Sequence, residues 1–210
     1  MRKILAALVA VLLCVTTSFA QSQKARTAFG FKAGFNVSSF RTAVDYATFE
    51  PKIKAGIALG AFLEIPIKGK FSVQPEFIYS QMGARAFDDS YGDKVFRLNY
   101  FSVPMLIKFD ACRNFRVFVG PQFDFLIRGT EEDALDHTTT ITNNVKDFDF
   151  AFTAGGEFVL SRNITVGARY IHGTQDVSTT PDEITTFNQG VHLSFAWKLL
   201  KKVKKAKAKK

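Results

Sequence analysis

Apolar side chains recur at every second position through most of this chain, a period that belongs to strands and not to helices. In Phe29-Gly30-Phe31-Lys32-Ala33-Gly34-Phe35-Asn36-Val37 the odd positions are apolar and the even ones small or polar. Ile53, Ala55, Ile57, Leu59, Ala61, Leu63 and Ile65 repeat the pattern against Lys54, Gly56, Gly60 and Glu64. Residues 71–79, 101–109, 115–125, 148–158, 164–170 and 191–197 follow it as well. A strand turns successive side chains to opposite faces, so each segment has one apolar face and one polar face. Most of these segments approach the roughly 9–11 residues that a tilted membrane strand needs. They predict an all-β fold: an eight-stranded antiparallel transmembrane up-and-down β-barrel.

The connections between the segments alternate in length. Residues 66–70, 110–114 and 161–163 are short turns, whereas 40–52, 83–94, 128–146 and 174–187 are long, polar and rich in Thr, Asp and Asn. Short periplasmic turns and long extracellular loops are the outer-membrane arrangement. An even number of strands returns both chain ends to the periplasmic side.

A soluble barrel would show the same alternation with its apolar face inward. Composition decides between the two. The chain holds 23 Phe, 5 Tyr and 1 Trp. The narrow interior of eight strands has no room for most of these rings, so the apolar face must meet lipid. The polar face carries the glycines, Gly30, Gly34, Gly56, Gly60, Gly120, Gly155, Gly167 and Gly190, beside the charges. Small residues next to large ones are what a narrow lumen requires. Pro75, Pro104 and Pro121 fall inside strands, where each forfeits a ladder bond, and are expected to mark bulges or register adjustments.

The chain opens with a secretory leader. Arg2 and Lys3 precede an apolar run from Ile4 to Val15, and small residues lead to Ala20. Cleavage is expected after Ala20, before Gln21. Leu13 stands where a lipidated Cys14 would need a small neighbour, so lipidation is rejected. Cys112 then remains alone and makes no internal disulfide. The expected organisation is a signal peptide over 1–20, a barrel over 21–198 and a Lys-rich tail over 199–210.

The net charge of +9 does not imply nucleic acid as a partner. Arg2, Lys3 and the seven lysines among the last ten residues account for it, and setting these nine aside leaves 19 basic residues against 19 acidic. A like-charged tail of this density is solvated on its own. Beside an outer-membrane lipid surface it is expected to hold anionic headgroups or an acidic periplasmic partner.

The charges on the inward face are Lys32, Lys54, Lys108, Arg116 and Arg169 against Glu64, Glu76, Asp124, Asp147, Asp149 and Glu157. Near balance of sign in so narrow a space predicts a salt-bridged filling, with a small pore as the alternative. Catalysis has one thin lead. His192 and Ser194 share a strand face, as a lipid esterase would need, but residues two apart lie about 7 Å from each other. His137 and His172 stand alone, no zinc spacing exists, and no phosphate-cradling loop is present. The expectation is therefore a barrel that is not an enzyme, needs no cofactor, and acts through its loops or its periplasmic rim.

Val73-Gln74-Pro75-Glu76-Phe77-Ile78-Tyr79-Ser80, Tyr100-Phe101-Ser102-Val103-Pro104-Met105-Leu106-Ile107-Lys108-Phe109, and Ala168-Arg169-Tyr170 with Gly173 resemble the PorT-like outer-membrane β-barrel proteins. The resemblance runs through the mature chain to Trp197. It implies the eight-stranded fold and the outer-membrane location, and it makes strand prolines unsurprising. The family's namesakes are linked to a protein-secretion machinery, which implies a secretion partner beside the alternative of an extracellular ligand. The lysine tail and Cys112 depart from the family's pattern.

Overall fold

A computed structural model of the chain describes residues 27–42, 50–88, 92–135, 137–179 and 185–199. The expected leader and cleavage site, Cys14, and the lysine tail beyond Leu199 lie outside the described residues. Among the described residues there are ten strands: β1 (Ala28–Thr42), β2 (Glu50–Lys52), β3 (Lys54–Lys68), β4 (Phe71–Asp88), β5 (Gly92–Cys112), β6 (Phe115–Glu132), β7 (Thr138–Thr140), β8 (Phe148–Val159), β9 (Ile164–Gly173) and β10 (Thr186–Leu199). Eight of them pair in the order β4-β3-β1-β10-β9-β8-β6-β5, and β5 returns to pair with β4. Every pairing is antiparallel, and the seam of first and last strands runs from Phe29↔Leu199 to Thr42↔Thr186. The circuit leaves these eight strands without an edge, the condition for a sheet in hydrocarbon, where every backbone N–H and C=O needs an internal partner. The short strands β2 and β7 extend the long-loop ends of β4 and β6.

The two faces separate as the alternation predicts. Phe35, 65 % exposed, and Leu193, Phe195 and Trp197 point outward. Lys32, Asn36, Gln74, Glu76, Lys108, Arg169 and His192 are buried in the lumen. Tyr79 donates to Asn99 Oδ1 at 3.0 Å and Tyr170 donates to Gln189 Oε1 at 3.2 Å, both on the outer surface. A ring with an apolar body and a wet hydroxyl suits the level where lipid meets water. From Gln189 down to Leu199, a strand tilted by about 40° rises about 25 Å, the height of an outer-membrane apolar band. At the lower edge the pairs Phe71–Phe109 and Phe115–Phe158 pack at 5.0 and 4.8 Å between centroids, with Phe29 and Trp197 at the same rim.

The short turns are as expected. Gly69, at φ +60°, makes the tight turn between β3 and β4, a backbone conformation that glycine adopts without strain. Asn163, in the β8–β9 turn, accepts from Lys198 N at 2.7 Å and donates to Lys198 O at 2.8 Å, which fastens the end of β10.

Two expectations are corrected. The strands run further than the alternation does: β4 and β5 stay paired up to Asp88↔Gly92, across most of the segment expected to be a long loop. Above the apolar band the parity inverts: the inward positions Met82, Ala84 and Ala86 are apolar and buried while Arg85 on the outer face is exposed, so the lipid-facing period stops although the pairing continues. The three prolines expected to mark bulges or register adjustments also leave the register unbroken. Pro75↔Met105, Pro104↔Gln122 and Pro121↔Phe152 all lie on constant register, and the shifts fall at Pro66/Lys68, Asn99/Tyr100 and Asp110/Cys112. A proline removes one ladder bond, but its φ is compatible with extended backbone, and the paired residues on either side hold the alignment.

Candidate functional site in the lumen

Charged residues on a strand face that turns away from lipid have only one another for partners. At the periplasmic end Glu64 meets Lys198 at 2.5 Å, Arg116 at 3.4 Å and Lys108 at 3.6 Å. Lys108 also pairs with Glu157, and Arg116 Nε reaches Asp110 at 2.7 Å. One level deeper, Glu76 accepts from Lys32, from Arg169 Nη1 at 2.7 Å and from Gln74 Nε2 at 2.7 Å. Lys108 donates to Gln74 Oε1 at 2.9 Å, so Gln74 joins the two clusters. Lys32, Glu64, Gln74 with Glu76, Lys108, Arg116, Glu157, Arg169 and Lys198 come one strand after another from β1, β3, β4, β5, β6, β8, β9 and β10. All eight barrel strands contribute to a single ionic network. Charges this deeply buried persist only when paired and hydrogen-bonded.

Above this network lies a second polar level. Asn36 donates to Ser80 Oγ at 2.8 Å and to the Gln81 carbonyl at 3.0 Å, leaving its Oδ1 to accept from His192 Nδ1 at 2.7 Å. Gln122 donates to both oxygens of Asp124 at 3.0 and 2.9 Å. Asn188 donates to Asp149 Oδ2 at 2.8 Å and to Tyr100 Oη at 3.1 Å. Closer to the extracellular mouth the filling becomes apolar: Phe40, Met82, Ala84, Leu98, Tyr100, Ala151 and Ile171 form one buried cluster with Val145 and Val177. Those two valines come from different loops, which the Val145↔Ser178 bridge ties together over the mouth.

Of the charges expected inside, ten are in the lumen, and one is not. Asp147 is exposed, in the bend that precedes β8, because the inward alternation starts only where β8 does. Lys54 is buried at the long-loop end of β3, where its Nζ meets the Ala55 carbonyl at 3.5 Å. The expected residues Lys32, Lys108, Arg116, Arg169, Glu64, Glu76 and Glu157 converge in the network, whereas Asp124 and Asp149 lie outside it. Lys198 and Gln74 were not anticipated in it, although each shares the parity of its charged neighbours. The apolar cap has no signature in the alternation, since Phe40, Met82 and Leu98 stand at inward positions, where polar residues are the rule lower down.

Among the described residues no hydrogen bond joins His192 to Ser194. Among the described residues the His192 ring has one hydrogen bond, from Nδ1 to the Asn36 amide, and no carboxylate is bonded to it. Ser194 faces Gly34 across the seam. His172 has its ring nitrogens 2.9 and 3.1 Å from Arg41 Nη1. His137 pairs with Asp133 at 3.4 Å in an exposed loop. Cys112 is an exposed free thiol at the end of β5.

Eight antiparallel strands closed on themselves, apolar toward lipid and charged within, define a transmembrane barrel of the outer-membrane type. The chain belongs to the outer membrane protein beta-barrel domain family, which matches residues 19–179, and its location is the cell outer membrane. Neisserial surface protein A has a similar structure, with a TM-score of 0.52 at 11 % identity over 83 % of this chain and 99 % of that one. At that identity the likeness speaks to the fold alone. Ail, the attachment invasion locus protein of Yersinia pestis, gives a TM-score of 0.47 at 14 % identity, over 83 % of this chain and 99 % of that one. No curated protein sequence matches the chain.

Proposed function

We propose that this protein is a non-enzymatic, non-conducting barrel that acts through its rims. The observation that supports this reading is the filling of the lumen at every level, from the Glu64 cluster up to the apolar cap under Val145 and Val177. A barrel of eight strands is just wide enough for its own side chains. What is left to contact another molecule is the long-loop rim outside and the short-turn rim in the periplasm.

Between the two rims, we favour the periplasmic one. The resemblance of residues 73–80 and 100–109 to PorT-like proteins supports a secretion-associated partner there. So does the sequence of the chain end, whose seven lysines would leave the barrel on that side. Photo-crosslinking in cells, from Lys70 and Arg113 on the short turns and from Leu135 and His137 on a long loop, tests the choice. Products from the turn positions alone are expected. Products from the loop positions alone would move the working surface to the outside and favour an extracellular ligand.

The reading also requires export. Cleavage after Ala20 is proposed, so that the outer-membrane form begins Gln21-Ser22-Gln23. A mature N-terminus at Met1, found by N-terminal sequencing, would remove this step.

A further inference from the structure

Asp124 on β6 lies directly opposite Asp149 on β8, and Ser102 on β5 lies directly opposite Asp124 on its other side. Residues opposite each other on neighbouring strands hold their Cβ atoms about 5 Å apart, so the two carboxylates share one patch of the inner wall. Both are buried, at 2 % and 3 % exposure. Neither takes part in an ion pair with a described residue. This is an unstable arrangement for two anions: in a low-dielectric interior, like charges at this spacing repel strongly and both lose their hydration.

Three oxygen atoms around the pair also stand without a hydrogen-bond partner among the described residues. They are Asp149 Oδ1, Gln122 Oε1 and Ser102 Oγ, and Gln122 and Ser102 are fully buried. Gln122 sits two residues before Asp124 on the same inward face and is bonded to it through Nε2, which leaves Oε1 as the unused end of the amide. A buried acceptor costs free energy unless something donates to it or coordinates it. The cation facing the pair from β9 is Arg169, and its Nη1 is bonded to Glu76. With both aspartates ionised, Lys32 and Arg169 would stand against Glu76, Asp124 and Asp149, and this part of the lumen would carry one net negative charge.

We propose that Asp124 and Asp149, with Gln122 Oε1 and Ser102 Oγ, form a buried site for one hard cation of the size of Ca2+ or Na+. The donors are all oxygens, carboxylate, amide and hydroxyl, which is the ligand set such ions take and which soft metals do not prefer. Among the described residues no group of three or more His, Cys, Asp or Glu side chains could hold a metal. This site has two carboxylates and is completed by neutral oxygens. Enclosed between the ionic network and the apolar cap, the ion would enter as the barrel closes and would stay with the fold.

The test uses the full mature chain, refolded from urea into detergent in three buffers: Ca2+, Na+, and tetramethylammonium with a chelator. The melting temperature should be higher in Ca2+ or Na+ than in tetramethylammonium, and elemental analysis of desalted barrel should find a stoichiometric ion. Asp149→Asn should abolish both the retained ion and the buffer dependence. Ser102→Ala, which removes a donor without touching charge, should weaken retention. Should Asp149→Asn fail to fold, the wild-type comparison and Ser102→Ala still decide. Equal melting in all three buffers with no retained ion would overturn the site, and would leave the pair held by a shared proton or by water.

Discussion

Arg169 Nη1 on β9 donates to Glu76 Oε2 on β4 at 2.7 Å, joining two strands that are not neighbours in the sheet. The bond therefore crosses the lumen, and Lys32 on β1 meets the same carboxylate from a third strand. Glu76 is the anion on which this level of the barrel converges. Its value depends on being ionised and fully partnered, because among the described residues Lys32 and Arg169 form ion pairs with no other carboxylate.

Glu76→Gln should accordingly destabilise the barrel by about 3–5 kcal/mol, the usual cost of leaving buried charges unpaired. Urea titration of the folded form, read on gels as the difference between unheated and boiled samples, measures it. Glu131→Gln, which breaks the partly exposed Lys94–Glu131 pair on the long-loop rim, should cost about 0–1 kcal/mol. Equal losses for the two would mean that the lumen network carries no particular weight.

Phe35 projects from the middle of β1 with 65 % of its surface free of protein contacts. If that surface faces lipid, Phe35→Arg should cost about 2–4 kcal/mol near the membrane midplane. Phe35→Leu keeps the site apolar and should change little. Folding yield into lipid vesicles compares the two, and an arginine variant that inserts as well as the leucine variant would contradict the outward assignment.

Residues 199–210 are proposed to bind anionic headgroups, at about 1 kcal/mol per Lys near the surface. Full-length protein should associate with anionic vesicles and release them as salt rises, since screening shortens the reach of exposed charge. Truncation after Leu200 should abolish that association and leave folding intact, because the described barrel ends with Leu199 paired to Phe29. Salt-sensitive binding that survives the truncation would assign the anionic contact to the barrel itself.

How much of this was legible in the sequence follows from which forces set each part. The lipid band was readable because hydrocarbon demands apolar groups at every outward position, and residues such as Phe31, Phe35 and Leu193 report that demand directly. Lys32, Glu76 and Arg169 could be placed inside by parity. Their mutual pairing could not, because strand order around the ring and the tilt of the strands decide which inward residues reach each other. The strand ends beyond the band do not show for a different reason: there the apolar residues Met82, Ala84 and Ala86 turn inward, and the lipid-facing period stops. The cap was missed because Met82 and Leu98 are inward residues whose apolar character makes sense only with Val145 and Val177 folded over them from distant loops. Asp147 shares the inward parity of β8 but stands one residue before the strand begins, so the period alone does not place it.

The proposed function rests on a lumen that is filled and closed. Refolded protein in planar bilayers tests it most directly. No sustained conductance should appear for the wild-type barrel, because the Glu64 and Glu76 clusters occupy the lower levels and the apolar cluster around Leu98 occupies the upper one. Stable open channels in the wild type, with a conductance altered by Glu76→Gln or Arg116→Gln, would show that ions pass through the network and would contradict the account.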